Sequence, residues 1–205
     1  MDALQDALRA AILDGELPAG SRLREQALCD EYHVARHSLR AALRALAAEG
    51  VVRIEPNRGA SVARLTNEDA RALYELRTAL EIEAAHLALE RNGGHLPAPV
   101  HDALHRLERA CASRRWSAIT ETHAGLHTAI VEASGSPRIV AAHAALSGEM
   151  RLFLLALKPH LPADDLAADH ARLVRRLETE GPAVLRGHLR EAAETFAGEG
   201  DRPGG

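Results

Sequence analysis

The stretch VARHSLRAALRALAAEGVVRIEPNRGASV, residues Val34–Val62, decides the fold of the first part of the chain. Arg36, Arg40 and Arg44 recur at every fourth residue, so on a helix they share one face. The opposite face is apolar and can be buried. Its leucines are Leu39, Leu43 and Leu46. The stretch therefore predicts an amphipathic helix with a basic outer face.

The basic face is followed by a hairpin pattern. A charged helix face is most often simply solvated, but here no Asp or Glu occurs between Glu31 and Glu49 to balance the arginines. Gly50 ends the helix, VVRIE alternates like an edge strand, and PNRG supplies turn residues with Arg58 at the tip. This is the layout of a winged helix-turn-helix, whose helix enters the major groove and whose wing touches the backbone or minor groove.

Two further helices are predicted ahead of the basic one. The three predicted helices cover residues 3–13, 23–32 and 35–48. Helix, helix, short turn, helix and hairpin together predict a winged helix-turn-helix DNA-binding domain over residues 1–65.

Composition favours packed helices in two domains. The chain has 205 residues, and its aromatic content of 2% leaves a core of Leu, Ala, Val and Ile. Its net charge is -4, and because residues 1–65 hold equal numbers of acidic and basic side chains, the excess acid lies in the remainder. That asymmetry suits a DNA-reading head on an acidic body.

The cysteines and the hydropathy indicate a cytoplasmic protein. Cys29 and Cys111 are far apart and follow no metal or disulfide spacing, as expected of reduced thiols. The sequence shows no signal peptide and no apolar run long enough to cross a membrane, so we expect no membrane partner.

From residue 66 onward the pattern is helical. Thr66 with Asp69 three residues later resembles a capping box, and the breaks between helices are rich in Gly, Pro and Ser. The predicted helices are 67–91, 99–113, 115–134, 137–157, 163–179 and 182–198. We expect an all-α bundle of six to seven helices over residues 66–198 and a disordered tail over residues 199–205.

Motifs in the first domain resemble a known family. AILDGELPAGSRLREQAL and the quoted stretch are similar to the DNA-binding head of the GntR family of bacterial repressors over residues 5–63. The resemblance implies that Arg36 and Arg40 contact the operator with help from Arg44, and that Gly59 is the wing glycine. The full set of DNA-binding residues that it implies is Arg36, His37, Arg40, Arg44, Arg58 and Gly59.

The chain departs from the family pattern at four places, and these differences affect what we expect of its helix caps and its DNA binding. The family has a capping Ser where this chain has Ala35, and losing a cap costs about 1 kcal/mol. His33 replaces a Gly, so it must adopt a positive φ. His37–Ser38 replaces Thr-Pro, and Gln26 replaces an Arg that often contacts DNA. We expect an operator that differs from family norms and a modest affinity.

The second domain resembles the FCD domain of the FadR branch of this family over residues 68–197, through LYELRTALEIEAAHLAL and LHTAIVEASGSPRI. In FCD proteins an Asp and a His at i, i+4 and two later His bind a divalent metal inside the bundle. The matching positions are His123, His127, His170 and His188. His123 stands where the family has Asp. The interval from His170 to His188 is about one helical turn shorter than usual, which preserves the helical phase.

The ligand types limit which metal ions the site can favour. Each histidine alone is more often a satisfied core or surface residue, but His123 and His127 share one helix face. Four neutral imidazoles favour Zn²⁺, Ni²⁺ or Cu²⁺ over Mg²⁺ or Ca²⁺; we expect Zn²⁺, with Ni²⁺ as the alternative. A site without its Asp should attract an anion more strongly, which suits the small carboxylates that many FCD proteins sense. The histidines predicted not to be ligands are His33, His37, His86, His95, His101, His105, His143 and His160.

Two arginines are candidates for effector binding. The resemblance places Arg77 in a region that lines the cavity, where it could clamp a carboxylate, but an ion pair with Glu81 at i+4 is equally expected. Arg151 is a weaker candidate of the same type. The acidic residues of the same helix are expected on a solvated face; they are Glu75, Glu81 and Glu83.

These patterns predict a homodimeric transcriptional regulator, a repressor by family default, on a palindromic operator. A carboxylate effector at the metal would change operator affinity by favouring one arrangement of the heads. One alternative is direct sensing of Zn²⁺ or Ni²⁺. A metal-dependent hydrolase is less favoured because no general base or nucleophile motif accompanies the histidines, and an interaction protein with a vestigial site is disfavoured by the arginine face. Operator, effector and physiological metal are not specified by the sequence.

Overall fold

The computed structural model describes residues 2–158 and 160–200. The chain divides into two compact units, Met1–Arg64 and Leu65–Gly205. The predicted fold class is confirmed: a winged helix-turn-helix precedes an all-helical unit.

The first unit contains three helices and a small sheet. Their bounds are α1 Asp2–Asp14, β1 Arg22–Leu23, α2 Glu25–Glu31, α3 Arg36–Ala48, β2 Val52–Glu55 and β3 Gly59–Val62. The strand order is β1-β3-β2 and both pairings are antiparallel. The sequence predicted the β2–β3 wing but not β1, because a two-residue strand is too short to show alternation.

The third helix has the amphipathic character that its spacing predicts. Leu39, Leu43 and Leu46 are buried, while Arg36 and Arg40 are exposed. α3 packs on α1 and on β2. Because the leucine face of α3 is buried in the core, the arginine face points to solvent.

The two departures at the start of α3 have the expected backbone consequences. His33 has φ +52°, the positive value that the missing glycine requires. The Val34 N–H then donates to the Cys29 carbonyl at 3.1 Å, closing the end of α2. Ala35 occupies the N-cap position in an extended conformation and makes no side-chain cap hydrogen bond.

Seven helices form the second unit within residues 65–158 and 160–200. They are α4 Asn67–Arg91, α5 Ala98–Ser113, α6 Trp116–Glu132, α7 Pro137–Ala144, α8 Ser147–Leu157, α9 Ala163–Glu180 and α10 Val184–Gly200. α4 starts at the predicted capping box: the Thr66 N–H donates to Asp69 Oδ2 at 2.9 Å, and the Asp69 N–H donates to Thr66 Oγ1 at 3.1 Å. The main core is apolar and lies between α5, α6 and α9, with contributions from α4 and α10.

Two helix predictions need correction. The predicted helix over residues 137–157 is broken at Ala145 and Leu146, and its halves are bent by 49°. No Gly or Pro stands at the break, so composition gave no signal there. The predicted tail over residues 199–205 starts too early, because α10 continues to Gly200; adding a residue to an existing helix costs little. Residues 201–205 lie outside the described residues.

In the described part of the chain no single helix is long and apolar enough to cross a membrane. Only α7 and α8 taken together pass by length and composition.

We expect Ala35→Ser to stabilise the start of α3 by about 1 kcal/mol, because a serine hydroxyl at this N-cap can accept a hydrogen bond from a free N–H of the first turn. Amide hydrogen exchange over the first turn of α3 measures the effect. Ala41→Ser, in the interior of the same helix, is the matched control and should give no such protection. Unchanged exchange in the Ala35 variant would contradict a missing cap.

Candidate functional site

Four histidines from three helices of the second unit meet in its interior. His123 and His127 come from α6, His170 from α9 and His188 from α10. The ring centroids of His123 and His170 are 4.7 Å apart, and those of His170 and His188 are 4.8 Å apart. The first three rings are buried, and the side chain of His188 is 13% exposed. The structure thus brings together the four residues that the sequence predicts as ligands.

Oxygen acceptors fix the proton on three of these rings. The Nδ1–H of His170 donates to the Leu166 carbonyl at 2.8 Å. His127 Nδ1 lies 2.7 Å from Glu81 Oε2, and His188 Nδ1 lies 3.0 Å from Asp169 Oδ2. Because an ionised carboxylate only accepts, Nδ1 must donate in both pairs. On the neutral rings of His127 and His170, Nε2 is then left with its lone pair.

The remaining nitrogens fit a metal ion. His127 Nε2, His170 Nε2 and His123 Nδ1 are buried and have no hydrogen-bond partner among the described residues. Unpaired buried nitrogens are costly unless something binds them. One ligand atom from each of these three residues lies within 4.8 Å of the others. Since Zn²⁺ binds imidazole nitrogen at about 2.0–2.1 Å, small side-chain rotations would let all three reach one ion.

Burial keeps His123, His127 and His170 neutral, which is the form that binds metal. Burial lowers the pKa of His127 to about 4, even though Glu81 acts to raise it. Burial also holds the pKa of His123 and that of His170 well below the usual range, and neighbouring rings add to the effect.

Glu81 is buried, and its expected place on a solvated face is wrong. Its Oε1 accepts from Arg77 Nε at 2.7 Å, while its Oε2 accepts from His127. Burial alone would raise the pKa of Glu81, but Arg77 and His127 hold that pKa well below the usual range. Glu75 and Glu83 are exposed as expected. Arg77 and Glu81 interrupt the buried apolar stripe of α4, and that periodicity could have revealed them.

His143, which was predicted not to be a ligand, is buried and contacts Glu81. Its Nε2 lies 3.3 Å from Glu81 Oε1, and its Nδ1 has no partner in the described residues. α7 is short, and no spacing in the sequence links His143 to Glu81.

A cavity of about 290 Å³ adjoins the histidines. Arg77 lines it, with its guanidinium 4.9 Å from the centroid of the Tyr74 ring. Arg77 Nη2 is buried and without a hydrogen-bond partner in residues 2–158 and 160–200. The ion pair with Glu81 therefore occupies only part of this guanidinium and leaves a donor beside the cavity.

Arg151 does not lie at this cavity. Its Nε donates to Glu121 Oε2 at 2.6 Å and its Nη2 donates to Glu121 Oε1 at 3.0 Å, and it is absent from the described cavity lining. This bidentate pair occupies one edge of the guanidinium and offsets its charge. The structure gives no support to the predicted effector role of Arg151.

The predicted DNA-binding residues are exposed on α3 and the wing. Arg40 Nε donates to Glu25 at 2.9 Å, and Arg36 Nη2 donates to Gln26 Oε1 at 2.6 Å, so α2 holds both arginines. Arg44 and His37 are exposed on α3. On the wing, the side chain of Arg58 is 76% exposed. Gly59 has φ +85° at the turn into β3, a backbone conformation that glycine adopts without strain and other residues rarely do.

Family comparison assigns both units. The family of bacterial regulatory proteins called gntR matches residues 1–62, and the FCD domain family matches residues 72–194. The chain belongs to the GntR family. The arginine face of this GntR protein lies in the first match, and all four histidines lie in the second.

Relatives of this GntR protein are DNA-binding transcriptional regulators, not enzymes. The repressor GlaR of Escherichia coli K12 is 30% identical over 158 residues, which is 74% of this chain and 68% of GlaR. The "Probable D-xylose utilization operon transcriptional repressor" of Paenarthrobacter nicotinovorans is 26% identical over 88% of this chain and 80% of its own. BphR of Paraburkholderia xenovorans is 36% identical, and the match spans 44% of BphR. The hydrolase alternative is therefore set aside.

Solved structures agree with the fold of this GntR protein. A GntR transcriptional regulator from Rhodococcus sp. RHA1 matches with a TM-score of 0.75 at 25% identity, over 96% of this chain and 97% of that one. E. coli McbR/YncC matches with a TM-score of 0.69 at 20% identity, over 96% and 94% of the two chains, and supports the fold alone.

We expect Glu81→Gln to destabilise the second unit of this GntR protein by about 3–5 kcal/mol, because Arg77 is left as an uncompensated buried charge. The single tryptophan, Trp116 on α6, packs against the main core. Its fluorescence during urea unfolding of the metal-free protein therefore reports this unit. The matched control is Glu83→Gln, an exposed change on the same helix that should alter stability by less than about 0.5 kcal/mol. Equal stability of the two variants would contradict a structural role for the pair.

Proposed function

We propose that this GntR regulator represses transcription as a homodimer on a palindromic operator, and that a small carboxylate bound at a divalent metal in the FCD unit controls its operator affinity. The observation that carries the proposal is the set of buried ring nitrogens without a partner beside a cavity that is also lined by Arg77, whose Nη2 has no hydrogen-bond partner among the described residues. Neutral nitrogen donors attract a cation, and a buried guanidinium attracts an anion.

In this proposal His123, His127 and His170 hold the metal, with His188 at the fourth position. The donor set of neutral imidazoles favours Zn²⁺, with Ni²⁺ as the alternative. When bound, a divalent ion would supply positive charge that favours an anion in the adjoining cavity. Glu81 and Asp169 orient His127 and His188 through their Nδ1 atoms, as outer carboxylates do at histidine sites.

The role of Arg77 is to bind the effector carboxylate. Its Nε is committed to Glu81, and its Nη2 is available. A carboxylate that accepts from Nη2 would satisfy a donor that is otherwise costly to bury. The effector then binds the arrangement of the unit in which Arg77 and the metal both face the cavity, and this differential affinity is what shifts operator binding.

DNA recognition is assigned to α3 and the wing. Arg36, Arg40 and Arg44 present guanidinium groups suited to guanine edges or phosphates. Arg58, beside Gly59, provides a basic contact from the wing.

Direct sensing of Zn²⁺ or Ni²⁺ is the second candidate. The presence of four histidines favours it, because four imidazoles can complete a tetrahedral site without an effector. Operator binding that responds to the metal alone, at all carboxylate concentrations tested, would select this candidate over the first.

We expect His127→Ala to lower metal uptake from about one ion per chain to near zero, because it removes a central ligand. Mass spectrometry of untagged protein purified without added metal measures content, and calorimetric titration with Zn²⁺ measures affinity. His86→Ala, an exposed histidine on α4, is the matched control and should bind Zn²⁺ like the unaltered protein. Full metal content in a folded His127 variant would refute the ligand assignment.

We expect Arg40→Ala to weaken operator binding by about 1–3 kcal/mol if it reads a base edge. The probe is a duplex selected from random-sequence DNA by the unaltered protein, measured by fluorescence anisotropy at fixed salt. Arg106→Ala, an exposed change on α5, is the control. If the variant instead loses the same affinity for every DNA sequence, and the slope of log affinity against log salt concentration falls by about one, Arg40 contacts a phosphate. An unchanged affinity would show that Arg40 is not in the interface.

A further inference from the structure

We infer that the effector is a monocarboxylate with a short aliphatic tail, and not a sugar acid or a dicarboxylate. The inference rests on the proposed function and goes further by specifying the part of the effector that lies away from the metal. It is carried by the distribution of polar and apolar side chains around the cavity of the second unit.

Buried polar groups gather at one part of the cavity lining. They are the rings of His123, His127 and His170 and the guanidinium of Arg77. The unpaired nitrogens of the cluster all belong to this group. One effector carboxylate can therefore bind here, by accepting a hydrogen bond from Arg77 Nη2 and by coordinating a cation held by the histidines.

Two uncharged side chains of the lining carry a hydroxyl: Tyr74, which is buried beside the Arg77 guanidinium, and Thr195, which is exposed. The remaining uncharged lining is aliphatic. Leu154, Leu157, Leu166 and Leu189 are buried, and Leu161 and Ala192 are partly buried. A hydroxyl against these side chains would lose its hydrogen bonds to water and gain none, whereas a methylene would be removed from water. This surface selects a hydrocarbon tail over a polyhydroxylated chain.

The exposed part of the lining is acidic. Asp165 and Glu191 are exposed, and Asp169 is partly exposed. Arg172 also lines the cavity, but its Nη2 donates to Asp169 Oδ1 at 2.7 Å, so these two charges offset each other and the excess acid comes from Asp165 and Glu191. A second carboxylate on the effector would lie against leucines or beside these acids, so a single acid group is favoured.

The size of the cavity favours a small effector. Its volume of about 290 Å³ lies at the lower end of the range of about 300–1,000 Å³ that small-molecule sites occupy. A carboxylate with a tail of a few carbons suits a site of this size. Hexanoate therefore represents the inferred class, and two other six-carbon acids, gluconate and adipate, test the tail hydroxyls and the second charge at constant length.

The experiment is calorimetric titration of the full chain with acetate, butanoate, hexanoate, gluconate and adipate, with and without Zn²⁺. From acetate to hexanoate, each additional buried methylene should lower the dissociation constant about fourfold. We expect hexanoate to bind at least ten times more tightly than gluconate or adipate. A preference for gluconate or adipate over hexanoate overturns the inference and leaves the proposed carboxylate effector in place. Failure of all five acids to bind overturns the effector proposal and, with it, the inference.

A pair of variants tests the aliphatic part of the cavity lining directly. Leu161 is partly buried and lines the cavity, whereas Leu155 is partly buried on α8 and is not in the described lining. Leu161→Asn should weaken hexanoate binding about tenfold and leave acetate binding within twofold, because only the longer tail reaches this part of the lining. Leu155→Asn should leave both unchanged. Equal loss for acetate and hexanoate in the Leu161 variant would contradict an aliphatic tail site.

Discussion

The buried carboxylate of Glu81 is the constraint on which the histidine cluster depends. It lies on α4, pairs with Arg77 of the same helix and accepts from His127 on α6. A buried carboxylate is tolerated only when paired and fully hydrogen-bonded. The same bond that satisfies Glu81 fixes the proton of His127 on Nδ1 and directs Nε2 to the other rings. The ligand geometry of α6 is therefore set by a charge pair on α4.

Negative charge in this site lies one layer outside the histidines. The four candidate ligands are all histidines, and Glu81 and Asp169 each contact one of their rings. Arg77 offsets Glu81, and a divalent ion would make the buried part of the cavity positive. An anion is then attracted strongly, while the leucines of the cavity set which anion can bring its tail inside.

Sequence periodicity predicted the head well because its structure is local. The leucine face of α3, the wing and the positive φ of His33 all follow from spacing or from one replaced glycine. The break between α7 and α8 and the burial of His143 were not predicted, because both arise from packing between helices distant in sequence. The predicted histidines came together, whereas Glu81 was misplaced although its position in the apolar stripe of α4 marked it as buried.

The two units carry charge pairs of very different strength, and this difference matters for regulation. On the head, Arg40 and Glu25 form an exposed pair, and water and salt screen such pairs, so they contribute little to stability. In the proposed complex, DNA would replace Glu25 as the partner of Arg40, and the exposed pair offers little resistance to that exchange. In the body, Arg77 and Glu81 are fully buried, and separating them costs several kcal/mol. An effector that engages Arg77 must therefore add a partner at Nη2 without removing Glu81, which restricts it to an anion that enters from the cavity side.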